Sequence, residues 1–412
     1  MNTGMHEKVE QIIQQLSAWV KQLGEAAQGL QDQADMDALE KRIRHEGRQM
    51  LAQTCQGLTQ ARLDQMHESQ RTCPDCGSGR RHKGRRQRKI LTSLGAVVME
   101  DVYWVCPHCG HSGRALDQLA PQPVSATMHG LMCLLGTALS SFDKAQKAAD
   151  QLLGVPVDAE TIRQHCLAQG RELLTSEPLP TSVPSGGDLT GSCDGTMVNT
   201  REQGWRELKV FRFEHEQGVY LGAALERADR FALRLKRAAT RVGASGAHRF
   251  WWVADAADWI DKAVALKLPQ THRIVDIWHA YQHVYAAGRV LYGEGTRQAK
   301  AWSERWRDRL RQQGARRLWP QLQKLKYQAS QRQEAIAKLA RFLKKQQNRM
   351  DYPDYEAKGW PISSGPMESG CKQLGLRLKG PGMRWRQRSV SPMSQMVALW
   401  CSNRWPQSLS AA

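Results

Sequence analysis

The clearest chemistry in the chain lies in two copies of one short pattern, Cys73-Pro74-Asp75-Cys76-Gly77 and Cys106-Pro107-His108-Cys109-Gly110. Each copy is a tight knuckle that aims two thiolates at one ion, and its glycine admits the turn. Together Cys73, Cys76, Cys106 and Cys109 supply the four sulfurs of a tetrahedral structural zinc site holding one Zn²⁺. His108 and His111 are then spare. The other cysteines are scattered, which reads as ordinary buried thiols in a reducing compartment rather than disulfides.

A second chemistry needs carboxylates. Glu368 lies in Pro361-Ile362-Ser363-Ser364-Gly365-Pro366-Met367-Glu368-Ser369, and no acid follows it, while Lys372, Arg377, Lys379, Arg384, Arg386, Arg388 and Arg404 do. A lone acid at the mouth of a cationic segment suits a metal ligand beside a polyanion. It equally suits a helix start, with Ser364 as cap, Pro366 in the first turn and Glu368 favouring the dipole. Upstream stand Asp194, Asp255 and Asp276. Asp194, Asp255 and Glu368 can converge in a ribonuclease H-like fold and hold two divalent ions, Mg²⁺ or Mn²⁺. One ion would activate water or a 3′-hydroxyl and the other would stabilise the leaving oxygen. Asp276, also at a strand end, competes with Asp255 for the second place. His279 is either a base or a satisfied structural group. Asp258 reads as a helix cap.

The elements that must position these groups follow from periodicity. Residues 5–66 carry Val9, Ile12, Ile13, Leu16, Trp19, Val20 and Leu23 at spacings of three and four, so helices are expected, with Asp35 capping the second, as a hairpin or a dimerising coil. Arg80-Arg81-His82-Lys83-Gly84-Arg85-Arg86-Gln87-Arg88-Lys89, between the knuckles, is a basic hairpin segment suited to phosphates or simply a solvated loop. Phe142 to Arg163 reads as helix, glycine turn, helix, with Asp158 as cap. Thr181 to Gly187 is a linker. Strands are expected over Leu189–Val198, Glu207–Phe213, Val219–Gly222, Arg249–Asp255 and Arg273–Asp276, with helices over Asp229–Val242 and Ala257–Leu268. From Arg297 to Arg349 the chain is helical and basic. The expected fold class is multidomain α+β. It comprises an N-terminal helical region (1–68), a zinc ribbon (69–120) and a helix-turn-helix region (121–180). A ribonuclease H-like mixed α/β core (188–285 and 356–405) follows, interrupted by an all-helical insertion (286–355).

Asp194-Gly195-Thr196, Ala254-Asp255-Ala256-Ala257-Asp258-Trp259-Ile260, Asp276-Ile277-Trp278-His279-Ala280, Ser363-Ser364-Gly365-Pro366-Met367-Glu368-Ser369 and Arg377-Leu378-Lys379-Gly380-Pro381-Gly382-Met383-Arg384-Trp385 together carry a resemblance. Across most of 70–405 the chain resembles bacterial insertion-sequence transposases of the DDE class, in the ISKra-type group related to Mutator-like elements. Ala254 and Ala256 stand where that family usually has glycines. The resemblance implies a catalytic triad of Asp194, Asp255 and Glu368, with Asp276 and His279 as an auxiliary pair. It also implies DNA strand cleavage and strand transfer. The cationic groups expected at DNA are Arg80, Arg81, Lys83, Arg85, Arg86, Arg88, Lys372, Arg377, Lys379 and Arg384, with Trp385 beside them.

Charge agrees with such a partner. The 412 residues carry a formal +19, which favours nucleic acid or another anionic surface. No apolar run reaches the ~20 residues of a membrane span, and the amino terminus lacks the pattern of a signal peptide. The expectation is a cytoplasmic, nucleoid-associated homo-oligomer bound to double-stranded DNA at element ends and target. A non-catalytic or domesticated DNA-binding regulator, a ribonuclease H-like nuclease and an RNA-binding ribbon protein are the rival readings.

Overall fold

The computed structural model describes residues 3–409, so residues 1 and 2 of the expected first segment lie outside it. The chain divides into two compact units, one running through His165 and including the stretch from Pro406, the other Cys166–Trp405. None of the described helices is long and apolar enough to cross a membrane.

In the first unit α1 (Thr3–Ala27) and α2 (Gln33–Ser69) form a helical hairpin. Gly47 of α2 faces the Trp19 ring and Gly57 faces Ile12, which fixes the pair as antiparallel. Asp32, not the expected Asp35, serves the start of α2: its side chain accepts from Asp35 N at 2.9 Å, while the Asp35 carboxylate accepts from Gln31 N. A three-stranded sheet of β1 (Arg81–Thr92), β2 (Gly95–Val105) and β3 (Ser112–Gly113) follows, all antiparallel. Leu63 of α2 packs on Ile90, Val97 and Met99 of this sheet and on Leu116 of α3 (Leu116–Leu119). Ser125 caps α4 (Ala126–Ala138) and Ser141 caps α5 (Phe142–Ala148). A wider helical turn over Ala149–Leu153 ends at left-handed Gly154. Asp158 then accepts from Thr161 N at 2.8 Å to start α6 (Ala159–Leu173), within which the division between the units falls.

The second unit is built on β4 (Asp188–Thr200), β5 (Gly204–His215), β6 (Gly218–Ala224), β7 (Arg249–Ala254) and β8 (His272–Val275). Their order is β6-β5-β4-β7-β8. The first three pair antiparallel, as consecutive short-looped strands do, and β7 and β8 add parallel to β4 and to each other. Parallel additions need crossovers, and these are α7 (Ala228–Arg241) and α8 (Asp258–Lys267). Asp258 opens α8 after the Ala257 N-cap and pairs with Lys345, so it is not the cap that was expected.

Alternation along the strands sends side chains to two cores. Cys193, Phe211, Phe213, Trp252 and Ala254 face α7 and α8. Phe211 lies so close over Gly222 that a Cβ there would sit 2.2 Å from its Cζ, a position only glycine allows. Trp251, Val253 and Ile274 belong to the other core, which they share with α9 (Ile277–Tyr292), α10 (Arg297–Lys324), α11 (Ser330–Gln346) and α12 (Tyr352–Ala357). The basic helical stretch therefore hides an apolar face made of Trp302, Trp306, Leu310, Leu339 and Leu343. α10 is broken at Gly314 (φ 71°), where Ala315 N donates to Met350 O at 3.0 Å. α13 (Gly365–Leu378) and α14 (Gln387–Cys401) close the unit, α13 against β4 and β5 and α14 against β6.

Candidate carboxylate site and four-cysteine cluster

The strand pattern dictates where two of the carboxylates go. Thr190 lies opposite Trp251 and Gly191 opposite Trp252. By alternation Asp194 and Asp255 then project to the same face of neighbouring parallel strands, away from Cys193 and Ala254. α13 covers that face, and its Cys371 Sγ lies 3.7 Å from Asp194 Oδ2. Burial, partly offset by the Gly195 N–H at 2.6 Å and reinforced by the charge of Asp255, raises Asp194 above the usual carboxylate range. Burial and the Asp194 charge push the Cys371 thiol up to about 12, so it stays protonated as a donor to the carboxylate. Two acids on one face, each feeling the other's charge, are the kind of donor set that a hard divalent cation relieves.

Asp255 has a basic neighbour. His279 Nδ1 lies 3.2 Å from Asp255 Oδ2, and that contact raises the imidazole above its ordinary value although burial opposes it. His279 Nε2 lies 3.3 Å from His283 Nε2, one turn on. The His283 ring stacks on Phe342 of α11 at 3.8 Å, and burial lowers it to about 4.

Asp276 does something different from a ligand. It is 3% exposed, and its Oδ1 caps α9 by accepting from Trp278 N at 2.6 Å and His279 N at 3.0 Å. Its Oδ2 accepts from Ser364 N and Ser364 Oγ, each at 2.5 Å. The expected capping role of Ser364 is therefore altered: Ser364 occupies the N-cap position of α13, but its side chain makes no cap bond there. Four donors occupy the Asp276 carboxylate.

Glu368 stands in the first turn of α13, one turn before Cys371. Its side chain is 69% exposed and pairs with Lys372 at 3.0 Å. Asp194 and Asp255 are thus brought to one face, while Glu368 is held at its margin by a lysine.

The cysteines are drawn together more tightly. Among the described residues they are the one group of three or more His, Cys, Asp or Glu whose ligand atoms all lie within 4.8 Å of one another. Cys73 and Cys109 are 3.5 Å apart at sulfur, as are Cys76 and Cys106. A tetrahedron of Zn–S bonds near 2.3 Å has edges of about 3.8 Å, so the donor set fits the ion. Each knuckle closes on a backbone bond, Gly77 N to Cys73 O and Gly110 N to Cys106 O, both 3.0 Å. The Ser78 N–H and hydroxyl lower Cys76 to about 6. Cys109 accepts from His111 N, yet the neighbouring thiols outweigh that donor and push it up to about 12.

Of the cationic groups expected at DNA, Arg81, Lys83, Arg85, Arg86, Lys372, Lys379 and Arg384 are exposed, and Arg88 is half-buried against Asp117. Three of the expected groups are buried. Arg80 is 8% exposed and donates to Gln70, Trp104 O and Gly113 O, closing the sheet. Arg377, 3% exposed, lies over the Trp385 ring, and burial lowers it to about 10. Trp385 is itself buried, with its indole N–H on Leu378 O and its backbone paired to the end of β4. The sequence reading missed Cys371, His283 and Phe342. Spacing offered a signal for the first two, Cys371 three residues after Glu368 and His283 four after His279; nothing local pointed to Phe342.

No protein-family model matches the chain, and no curated protein matches it. Solved structures similar to it include the Drosophila P element transposase strand transfer complex, at 9% identity and a TM-score of 0.25, covering 67% of this chain and 79% of that one. Similarity at that level does not establish a shared fold.

Proposed function

We propose that the chain is a DDE transposase of a bacterial insertion sequence. It binds double-stranded DNA at the element's terminal repeats, cuts it, and joins the freed 3′-hydroxyl to target DNA. The observation that carries the reading is the pair Asp194 and Asp255 on one face of adjacent parallel strands, with α13 lying over that face. The strand order, three antiparallel strands followed by two parallel ones, supports a ribonuclease H-like core.

In this reading Asp194, Asp255 and Glu368 are the catalytic ligands, and Glu368 joins the others by releasing Lys372. Two Mg²⁺ or Mn²⁺ ions bound there would supply activation of the attacking hydroxyl and charge stabilisation at the leaving oxygen. His279 orients Asp255, and Asp276 holds the start of α9 against the start of α13. The ribbon over 69–120 carries one Zn²⁺ and presents Arg81, Lys83, Arg85 and Arg86 to phosphates; the helices of 121–180 and the basic insertion add further contacts, and Lys372, Lys379 and Arg384 flank the carboxylates. Affinity should accordingly fall steeply as salt rises. The chain acts as a homo-oligomer in the nucleoid.

The Glu368–Lys372 pair favours one alternative, a DNA-binding regulator without catalysis, because it leaves the third carboxylate off the site. A strand-transfer assay decides. Labelled DNA carrying the inverted repeats that flank the gene is incubated with the full chain, Mg²⁺ and a target plasmid. Joined product is expected. Cut but unjoined DNA would mean a nuclease, and bound but uncut DNA a regulator.

A further inference from the structure

Away from both clusters, the second unit contains a cavity of about 270 Å³ between α7, the β5–β6 edge of the sheet and α14. Its wall includes Arg230, Arg234, Arg237 and Arg241, spaced along one face of α7, together with Glu177, Glu226 and Gln395. The two acids are already matched. Glu226 takes both Nε and Nη2 of Arg234, at 2.7 and 3.3 Å. Glu177 accepts from Arg241, from Arg404 and from the Tyr220 hydroxyl.

Two features remain unmatched. Arg230 and Arg237, exposed at the rim, have no carboxylate within ion-pair distance among the described residues. Gln395 is 4% exposed, and its Nε2 is buried with no hydrogen-bond partner among the described residues. An unpaired buried amide donor is unfavourable, so such groups are normally satisfied. A neutral amide donor, with two forked guanidinium groups free of acids, is a recognition set for an oxyanion; Arg forks match phosphate geometry. The concavity suits a compact anion better than the side of a duplex.

We propose that this cavity binds a phosphoryl group, with the Gln395 amide donating to one oxygen and Arg230 and Arg237 to the others. The group comes either from a small phosphorylated molecule, such as free phosphate or a nucleotide, or from the terminal phosphate of a DNA strand. The site is independent of the carboxylates and needs no cleavage activity.

Calorimetry on the full chain, titrated with inorganic phosphate in chloride buffer without divalent ions, tests it. A single saturable site is expected, with a Kd on the order of 1 mM or tighter. Arg237→Gln, at an exposed and unpaired position, and Gln395→Leu should each weaken it by about tenfold or more, with melting temperatures unchanged for Arg237→Gln. Competition then names the source: displacement by a nucleoside triphosphate identifies a small molecule, and displacement only by a 5′-phosphorylated oligonucleotide identifies a DNA end. Absence of saturable binding, or binding equally strong in both variants, overturns the proposal.

Discussion

At the four-cysteine cluster every donor sits in a knuckle closed by its own backbone bond, and the two knuckles are brought face to face by one antiparallel sheet. At the carboxylate face the proposed donors come from the middle of β4, the residue after β7 and the first turn of α13, and Glu368 is paired with a lysine instead of with the others. The first arrangement is closed and local, as structural metal sites are; the second is open and assembled from distant segments, as sites that must admit a substrate are. A closed set should matter for folding and an open one for chemistry.

The largest effect expected from that contrast is at the cysteines. Cys73→Ser should abolish zinc binding and expose 69–120 to protease, since structural zinc in small domains is worth on the order of 10 kcal/mol. Metal analysis with limited proteolysis checks this; a ribbon that stays protected without metal would break the comparison.

Next come Asp194→Asn and Asp255→Asn. Each should lower DNA cleavage by roughly a thousandfold or more, with DNA binding retained, and the double variant should be little worse than either alone. Normal cutting by both would remove the catalytic half of the contrast.

Asp276→Ala lies between the two classes. It strips a buried cap and orphans the Ser364 donors, so unfolding stability should fall by about 2–3 kcal/mol. Denaturant titration measures it, and an unchanged midpoint would show that the carboxylate is not a structural node.

A smaller effect is expected with pH. The folded chain keeps His283 neutral down to about 4, whereas the unfolded chain takes up that proton near 6.5. The unfolded state therefore binds more protons between those values, and stability falls as pH is lowered through that window. Because the ring is only half-buried, the loss should be about 1 kcal/mol, and His283→Phe should flatten it.

Smallest of all is Lys372→Met, which breaks an exposed pair worth less than about 0.5 kcal/mol. A larger change in stability would mean that Glu368 is held by more than its lysine.

How much could be read in advance follows the same line between local and distant. Both knuckles and all the strands of the second unit were legible, because ligand spacing and alternation are short-range signals; Arg249–Asp255 and Arg273–Asp276 fall within a residue of β7 and β8. The Asp276–Ser364 node was not, since its partners stand 88 residues apart and Ser364 looks locally like an ordinary cap. The burial of Arg80 and Arg377 was not legible, since residue type reads as surface while carbonyl acceptors hold one and the Trp385 ring covers the other. The break at Gly314 was hidden inside a continuous helical pattern, and only the Met350 carbonyl across from it shows why glycine is there.

The node formed by Asp276 and Ser364, reinforced by Ile277 N on Ile362 O at 3.0 Å, has a consequence for how this protein can change. It fastens together the two ends of a long excursion of the chain, as a clasp closes a necklace. Once the clasp is shut, lengthening the excursion between α9 and α12 costs little, since doubling a flexible loop adds only about 0.6 kcal/mol. The Gly293–Thr296 turn between α9 and α10, or residues 325–329 before α11, are therefore places where a guest segment could be spliced in while the ends stay fastened beside Asp255.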